Sequence, residues 1–156
     1  MLKRLLTTAG AVALLGSAAP LQAQVPLLDI RMGAHAAMPT GDLGDAYDAG
    51  FGAYGRVGAP LGPIKLMGSL TWNRLKSVNP LLDDTDIITV QAGPHFSLLP
   101  MLDLGVEAAY FSEVEEFGLA PNLTVGFLKF EVTASYNTTF DSPQANWMSL
   151  GAGIRF

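Results

Sequence analysis

Hydrophobic and polar residues alternate along most of this chain with a period of two, the spacing of side chains on a β-strand. The last ten residues, 147–156, show the pattern most simply. Alternate positions form a wholly apolar face, Met148, Leu150, Ala152, Ile154 and Phe156. The other face is small or polar, apart from Trp147 at its start. This pattern predicts a strand with one apolar face. The last residue of the segment, Phe156, is aromatic.

Seven further segments repeat this alternation, so the sequence predicts eight strands. They lie at 28–37, 51–59, 64–73, 87–98, 102–111, 117–127 and 130–137. The first, third, fifth and seventh connections are long, whereas the second, fourth and sixth are nearly minimal. This alternation is typical of up-and-down membrane barrels, whose short turns face the periplasm and whose long loops face outward. An even number of strands also closes without leaving an unpaired edge.

The composition of the chain indicates that these strands lie in a membrane. Hydrophobic residues make up 49% of the 156 residues and charged residues only 15%, which is low for a soluble domain. Beyond residue 23, however, no segment approaches the roughly 20 apolar residues that a membrane helix needs. Apolar residues dispersed by alternation are expected of membrane strands instead. The length allows one domain, and the absence of cysteine excludes disulfides and thiol chemistry.

Residues 1–23 are predicted to be a signal peptide. Lys3 and Arg4 give it a positive start, 5–15 form a short apolar core, and cleavage is expected after Ala23. The alternative is an uncleaved membrane anchor, for which this core is too short. The mature domain, 24–156, retains 7 basic and 14 acidic residues once Lys3 and Arg4 are removed. This net negative charge argues against a nucleic-acid partner.

Two kinds of barrel fit eight alternating strands. A soluble, lipocalin-like binding barrel has its apolar face inside, and a membrane barrel has it outside. The face opposite the apolar one decides between them, because it combines many glycines and alanines with charges of nearly balanced sign. Small residues suit a narrow lumen, and buried charges need partners. The charged residues on this face are Asp29, Arg31, Arg56, Lys65, Asp103, Glu107, Lys129, Glu131 and Arg155. We therefore predict an apolar exterior and a polar lumen.

Within that lumen we predict a network of ion pairs, formed by Arg31, Arg56, Lys65, Asp103, Glu107, Glu131 and Arg155. An eight-stranded barrel has an interior just wide enough for side chains. The network is therefore interpreted as a static polar plug that leaves the barrel closed or weakly conducting. The alternative is a gate in which the charges exchange partners and admit ions.

Aromatic residues collect at both ends of the apolar face. Those beside the long loops are Phe51, Trp72, Tyr110, Phe117 and Tyr136, and those beside the short turns are Phe96, Phe127, Phe130 and Phe156. Two bands are what two membrane–water interfaces require. Most acidic residues, by contrast, fall in or beside the four long loops.

From Ile30 to Phe156 the chain resembles the outer-membrane β-barrel domain family, in its small eight-stranded form. The resemblance lies in Pro39-Thr-Gly-Asp-Leu43, in Gly50-Phe-Gly52 and in the terminal Gly151-Ala-Gly-Ile-Arg-Phe156. It implies the outer membrane of a diderm bacterium, contact with its lipid and lipopolysaccharide, and a C-terminal signal, here Phe156, read by the barrel-assembly machinery.

Families of this kind include structural proteins, adhesins, narrow channels and a few enzymes, so the resemblance implies location more firmly than activity. Our leading expectation is a monomeric, non-catalytic protein with a structural or surface-interaction role. A narrow ion or small-solute channel is second, and a soluble periplasmic binding barrel is third.

Candidate catalytic and metal-binding residues are few. His95 and Ser97 share a face, but no Ser-Asn follows the histidine as it does in the lipid A hydrolases that use His, Ser and an acid. The aspartates of 83–86 lack the spacing of a calcium loop, so we expect no metal or other cofactor. Pro94 and Pro121 lie inside predicted strands, where each lacks an N–H for the ladder, and we predict a bulge at Pro121.

Overall fold

The computed structural model of the protein describes residues 28–79, 81, 83–140 and 145–156. The predicted signal peptide, 1–23, lies outside these residues and stays a prediction. Eight antiparallel strands follow one another in sequence order, and the last pairs with the first to close a barrel. The strands are β1 Asp29–Thr40, β2 Tyr47–Leu61, β3 Ile64–Ser77, β4 Thr85–Leu99, β5 Leu102–Phe111, β6 Glu116–Phe127, β7 Phe130–Thr139 and β8 Asn146–Arg155. The predicted fold class is confirmed.

The connections alternate in length as predicted. The short turns, 62–63, 100–101 and 128–129, lie at one end of the barrel, hereafter the turn end. The strand ends that the four longer connections join, at 40 and 47, 77 and 85, 111 and 116, and 139 and 146, lie at the opposite end, hereafter the loop end. One short helix, α1 Asp42–Ala46, occupies the first of them. In the part of the chain that the structure describes, no helix is long and apolar enough to cross a membrane.

The strands at the loop end are longer than predicted. The predicted loop 38–50 contains the end of β1, helix α1 and the start of β2, where Asp48 pairs with Lys76 before a bulge. Backbone pairing continues here although the alternation of apolar and polar residues has stopped. Strands that rise into water can carry polar side chains on both faces, so hydrophobic periodicity cannot reveal their ends.

Side-chain exposure shows which face of the barrel is apolar. On the outside, Leu104, Leu123, Val132 and Ile154 are 41%, 42%, 51% and 42% exposed. Arg56, Glu107 and Glu131, on the inside, are 5%, 0% and 2% exposed. The predicted apolar exterior is confirmed, and the alternative of a barrel that turns this apolar face inward is excluded.

The seam between β1 and β8 is built from very small residues. Gly33 pairs with Gly153, and Ala34 with Ala152. A Cβ added at Gly151 would lie 2.6 Å from the Ala34 carbonyl oxygen and 2.7 Å from the Cβ of His35. A side chain there would push the closing strands apart, so this glycine is required by close backbone approach.

The predicted bulge at Pro121 is wrong. Pro121 pairs with Val106 of β5, while pairing with β7 is interrupted next to it and resumes in the same register. Pro94 likewise pairs with Leu66 of β3 and lies where the β4–β5 ladder is interrupted without a change of register. An interior residue donates its N–H to one neighbour only, so a proline removes a bond on one side and leaves the other ladder intact.

Candidate functional site

The lumen is the part of the molecule where buried polar chemistry is concentrated, and it is divided into three layers. We call the layer at the turn end the basal network; it consists of Asp29, Arg31, Lys65, Asp103, Glu131 and Arg155. The middle layer holds His35, Tyr54, Arg56, His95 and Glu107. We call the layer at the loop end the apical cluster; it consists of Ala37, Leu75, Ile87, Ala109, Phe111, Ala120, Ala145 and Trp147.

Arg31 is the centre of the basal network. Its fully buried guanidinium donates through Nη2 to Asp29 Oδ2 at 2.5 Å and to Asp103 Oδ2 at 2.8 Å, and through Nη1 to Glu131 Oε2 at 3.3 Å. These three carboxylates come from β1, β5 and β7, so one arginine connects strands on different sides of the barrel. A buried charge needs such partners, because water cannot solvate it.

Lys65 and Arg155 complete the basal network nearer to solvent. Lys65 Nζ lies 3.3 Å from Asp29 Oδ2 and 3.2 Å from Asp103 Oδ2. Arg155 Nη2 lies 3.1 Å from Asp103 Oδ2, and Ser97 Oγ donates to Asp103 Oδ1 at 2.6 Å. The network therefore combines three cations with three carboxylates and carries no net formal charge.

The structure brings five of the seven predicted luminal residues into the basal network and adds Asp29. Glu107 is not among them: its Oε1 lies 2.6 Å from His95 Nε2 and accepts from Asn122 Nδ2 at 3.3 Å. The prediction that Glu107 pairs with an arginine or lysine is therefore wrong. His95 is its partner because both side chains extend inward from paired neighbouring strands.

Arg56 also departs from the predicted pairing. Among the described residues, no carboxylate oxygen lies within 4 Å of its guanidinium. Instead it lies over the Tyr54 ring, 4.8 Å from the ring centroid, and donates to Thr124 and Thr133 hydroxyls at 3.5 Å. Lys129, also expected on the luminal face, lies exposed in the turn between β6 and β7. Without Lys129, the charged residues predicted for the luminal face comprise four basic and four acidic side chains.

The apical cluster was not predicted. Phe111 and Trp147 meet edge to face with ring centroids 5.0 Å apart, and Leu43 and Tyr47 pack against the cluster from the first loop. The available signal was Trp147, a large apolar residue on an otherwise small and polar face. Interior positions at the loop end do not face lipid, and a small hydrophobic core can fill them.

The nine belt residues lie on the outer face, at its two ends. At the loop end, Phe51 and Trp72 have ring centroids 5.7 Å apart, and Tyr110 and Phe117 have centroids 5.1 Å apart. At the turn end, Phe96, Phe127, Phe130 and Phe156 are all exposed. Phe117 and Phe127 are separated by ten residues of β6, about 33 Å along a strand, or about 25 Å along the barrel axis at a tilt near 40°. This equals the height of the apolar band of a membrane barrel, about 25 Å.

On the outer face of the described strands, charged residues appear only beyond the loop-end aromatics. Arg74 and Lys76 follow Trp72 on β3, and their partners across the ladder are Asp86 and Asp48. Arg74 Nε lies 3.6 Å from Asp84 Oδ2, with both side chains nearly half exposed. We therefore expect these residues to lie outside the lipid-facing band, because charges are costly in hydrocarbon.

His95 and Ser97, the pair weighed as a catalytic site, have separate partners. His95 contacts Glu107 in the buried middle layer, and Ser97 contacts Asp103 at the turn end. Neither side chain is placed to activate the other. In the described part of the chain, no group of three or more histidine, cysteine or acidic side chains could hold a metal ion.

No protein-family model and no curated protein matches this sequence. Solved structures do match it. The outer membrane protein Ail of Yersinia pestis, determined in a phospholipid bilayer nanodisc, is 20% identical with a TM-score of 0.56, over 83% of this chain and 98% of Ail.

The chain has the fold of small outer-membrane barrels. Ail of Yersinia pestis in complex with the heparin analogue sucrose octasulfate is 22% identical, with a TM-score of 0.50 over 83% of this chain and 97% of Ail. Neisserial surface protein A is 12% identical, with a TM-score of 0.51 over 82% of this chain and 95% of that protein. Identities this low establish the fold, whereas function has to be argued from the residues.

Proposed function

We propose that this protein is an integral outer-membrane barrel with a structural or surface-interaction role and no catalytic activity. The observation that carries the proposal is the inverted distribution of residues: an apolar exterior between two aromatic bands, around a charged interior. Such a surface is stable only against hydrocarbon, because in water the same area would drive aggregation. Outer-membrane lipid and lipopolysaccharide are therefore its proposed surroundings.

Cell fractionation tests the location. The protein is expected in the outer-membrane fraction, and the folded barrel is expected to migrate differently from the heated chain on a gel. Recovery in the soluble periplasmic fraction would refute the proposal. Assembly through the C-terminal aromatic remains part of it, and an F156S variant should accumulate unfolded in the periplasm.

We further propose that the lumen is closed at both ends by different chemistry. The sequence suggested a charged and polar plug throughout, and the basal network fits that expectation at the turn end. At the loop end the buried Phe111 and Trp147 place an apolar barrier across the lumen. The geometry gives no specific support to the alternative of a narrow channel. Planar-bilayer recordings should show no stable unitary conductance, and porin-like steps would overturn the closed lumen.

The charge of the loop end limits the surface partners that this barrel can take. Described residues there include nine acids and only two bases, Arg74 and Lys76. The acids are Asp42, Asp45, Asp48, Asp83, Asp84, Asp86, Glu113, Glu115 and Glu116. A polysulfated sugar like the one bound to Ail would be repelled from such a surface. Immobilised heparin should not retain the refolded barrel at low salt, and retention that salt reverses would refute this restriction.

A further inference from the structure

A small cavity lies in the lumen between the basal network and the apical cluster. Its volume is about 20 Å³, on a scale where one water needs about 10–15 Å³. Among the described residues that line it, Arg56 alone carries a permanent charge. Most of the others carry hydroxyl or amide groups, namely Thr71, Gln91, Thr133, Ser135, Asn137 and Ser149.

The Arg56 guanidinium is buried without the partners that its charge requires. Its Nε has no hydrogen-bond partner among the described groups, and its Nη1 reaches only two hydroxyls, at the 3.5 Å limit of a hydrogen bond. Arg31 is directly opposite Arg56 in the pairing of β1 with β2. In contrast to Arg56, it has three carboxylates within 3.3 Å. The two arginines are equally interior, so the difference lies in their surroundings.

Neither Glu131 of the basal network nor Glu107 of the middle layer forms an ion pair with Arg56. Glu131 accepts from Arg31 and, at 2.9 Å, from the Tyr54 hydroxyl. Glu107 accepts from His95 and Asn122 through Oε1, its Oε2 has no hydrogen-bond partner among the described groups, and it interacts with Arg56 only electrostatically, from beyond 4 Å. Neither carboxylate lines the cavity, so the charged surface that the cavity presents is cationic.

Donors for an anion are available around the same space. In the described chain, the hydroxyls of Thr71, Ser135 and Ser149 have no side-chain or backbone partner. A hydroxyl can turn its proton toward an anion, as a carboxylate cannot. One guanidinium with several hydroxyls in a space this small suits a monoatomic anion and excludes phosphate or sulfate.

We propose that this cavity binds a small inorganic monoanion, such as chloride, on Arg56. The anion would compensate a buried charge that the side chains leave unpaired, and it would connect β2 to the opposite wall through the hydroxyls. Because closed layers lie on both sides, the ion would be taken up as the barrel folds. This goes beyond the proposed function, since it concerns what the lumen holds and stands whether or not the protein contacts a surface partner.

The direct test uses bromide, which scatters anomalously and substitutes for chloride. The protein is refolded in detergent with sodium bromide and crystallised, and an anomalous peak is expected beside the Arg56 guanidinium within the cavity. No peak there, with density explained by interior water only, would overturn the proposal.

A stability measurement supplies the second readout. Wild-type protein refolded in sodium chloride should unfold at a higher urea concentration than protein refolded in sodium gluconate of equal ionic strength. The difference should saturate with chloride, as linkage to a folded-state ligand requires. R56M should lose the difference, whereas the matched charge control K129M, altered at an exposed turn, should keep it. Equal midpoints of the wild type in the two salts would contradict binding, even if R56M failed to fold.

Discussion

Replacing Arg31 with methionine is the most informative perturbation of the lumen. The change keeps an unbranched side chain but removes the one cation that reaches Asp29, Asp103 and Glu131 together. Lys65 and Arg155 remain near the first two carboxylates, whereas among the described residues Glu131 keeps only the Tyr54 hydroxyl as a partner. The basal network would then hold two cations and three carboxylates, with Glu131 fully buried.

Removing one partner of a buried ion pair typically costs about 3–5 kcal/mol, because the other charge stays buried and uncompensated. Three pairs end on Arg31, but they share one guanidinium and their energies do not add. We therefore expect R31M to lower the free energy of unfolding by about 3–5 kcal/mol. Urea titration of the refolded barrel, followed by tryptophan fluorescence, measures this loss.

Two further variants show whether charge imbalance is the cause. E131Q alone breaks the pair with Arg31 but keeps a side chain of the same shape. In the R31M background it should restore part of the lost stability, since it removes the uncompensated carboxylate. R74M, which removes an exposed arginine beside Asp84, should cost less than about 1 kcal/mol. A loss in R31M as small as that in R74M would show that Arg31 is not the centre of the lumen.

Three other substitutions test the apical cluster, the lipid-facing surface and the closing seam. W147A removes the largest buried side chain of the apical cluster and should cost about 3–5 kcal/mol in urea unfolding, against a negligible effect for the exposed F140A. L123R places a charge near the middle of the lipid-facing surface and should cost about 2–4 kcal/mol in lipid; an unchanged midpoint would contradict membrane insertion at this position. G151A should lower the yield of heat-modifiable barrel, because its Cβ would meet the Ala34 carbonyl across the closing seam. G68A is its comparison, since a Cβ added there would make only an ordinary contact, 4.0 Å from the Val57 carbonyl oxygen.

The sequence was sufficient to predict the strand number, the closure and the orientation of the two faces. The reason is physical. In a membrane barrel, successive side chains of each strand face the lipid and the lumen in turn, so hydrophobic residues recur with a period of two. Where the strands rise above the membrane this coupling ends. The pattern accordingly predicts a loop at 38–50, although most of these residues extend β1 and β2 or form α1.

The partners inside the lumen could not be predicted. Arg31 and Glu131 are 100 residues apart, and which side chains meet across the barrel depends on strand tilt and register rather than on local pattern. The predicted residues were largely the right ones, but Glu107 pairs with His95 and Arg56 with no carboxylate of the described chain. The apical cluster was missed for a related reason, since Phe111 and Trp147 belong to different strands and meet only after closure.

Exposed ion pairs and the buried basal network should respond differently to salt. A comparison of two salts can therefore distinguish the binding of an ion from the screening of charges. Exposed pairs such as Arg74–Asp84 weaken as ionic strength rises, whereas the basal network is shielded from the solvent ions that would screen it. Screening by chloride and by gluconate at the same ionic strength is equal, so it cannot produce a difference between the two salts. A chloride-specific gain in stability that disappears in R56M would therefore require a bound ion, and one that persists in R56M would place its cause outside the lumen.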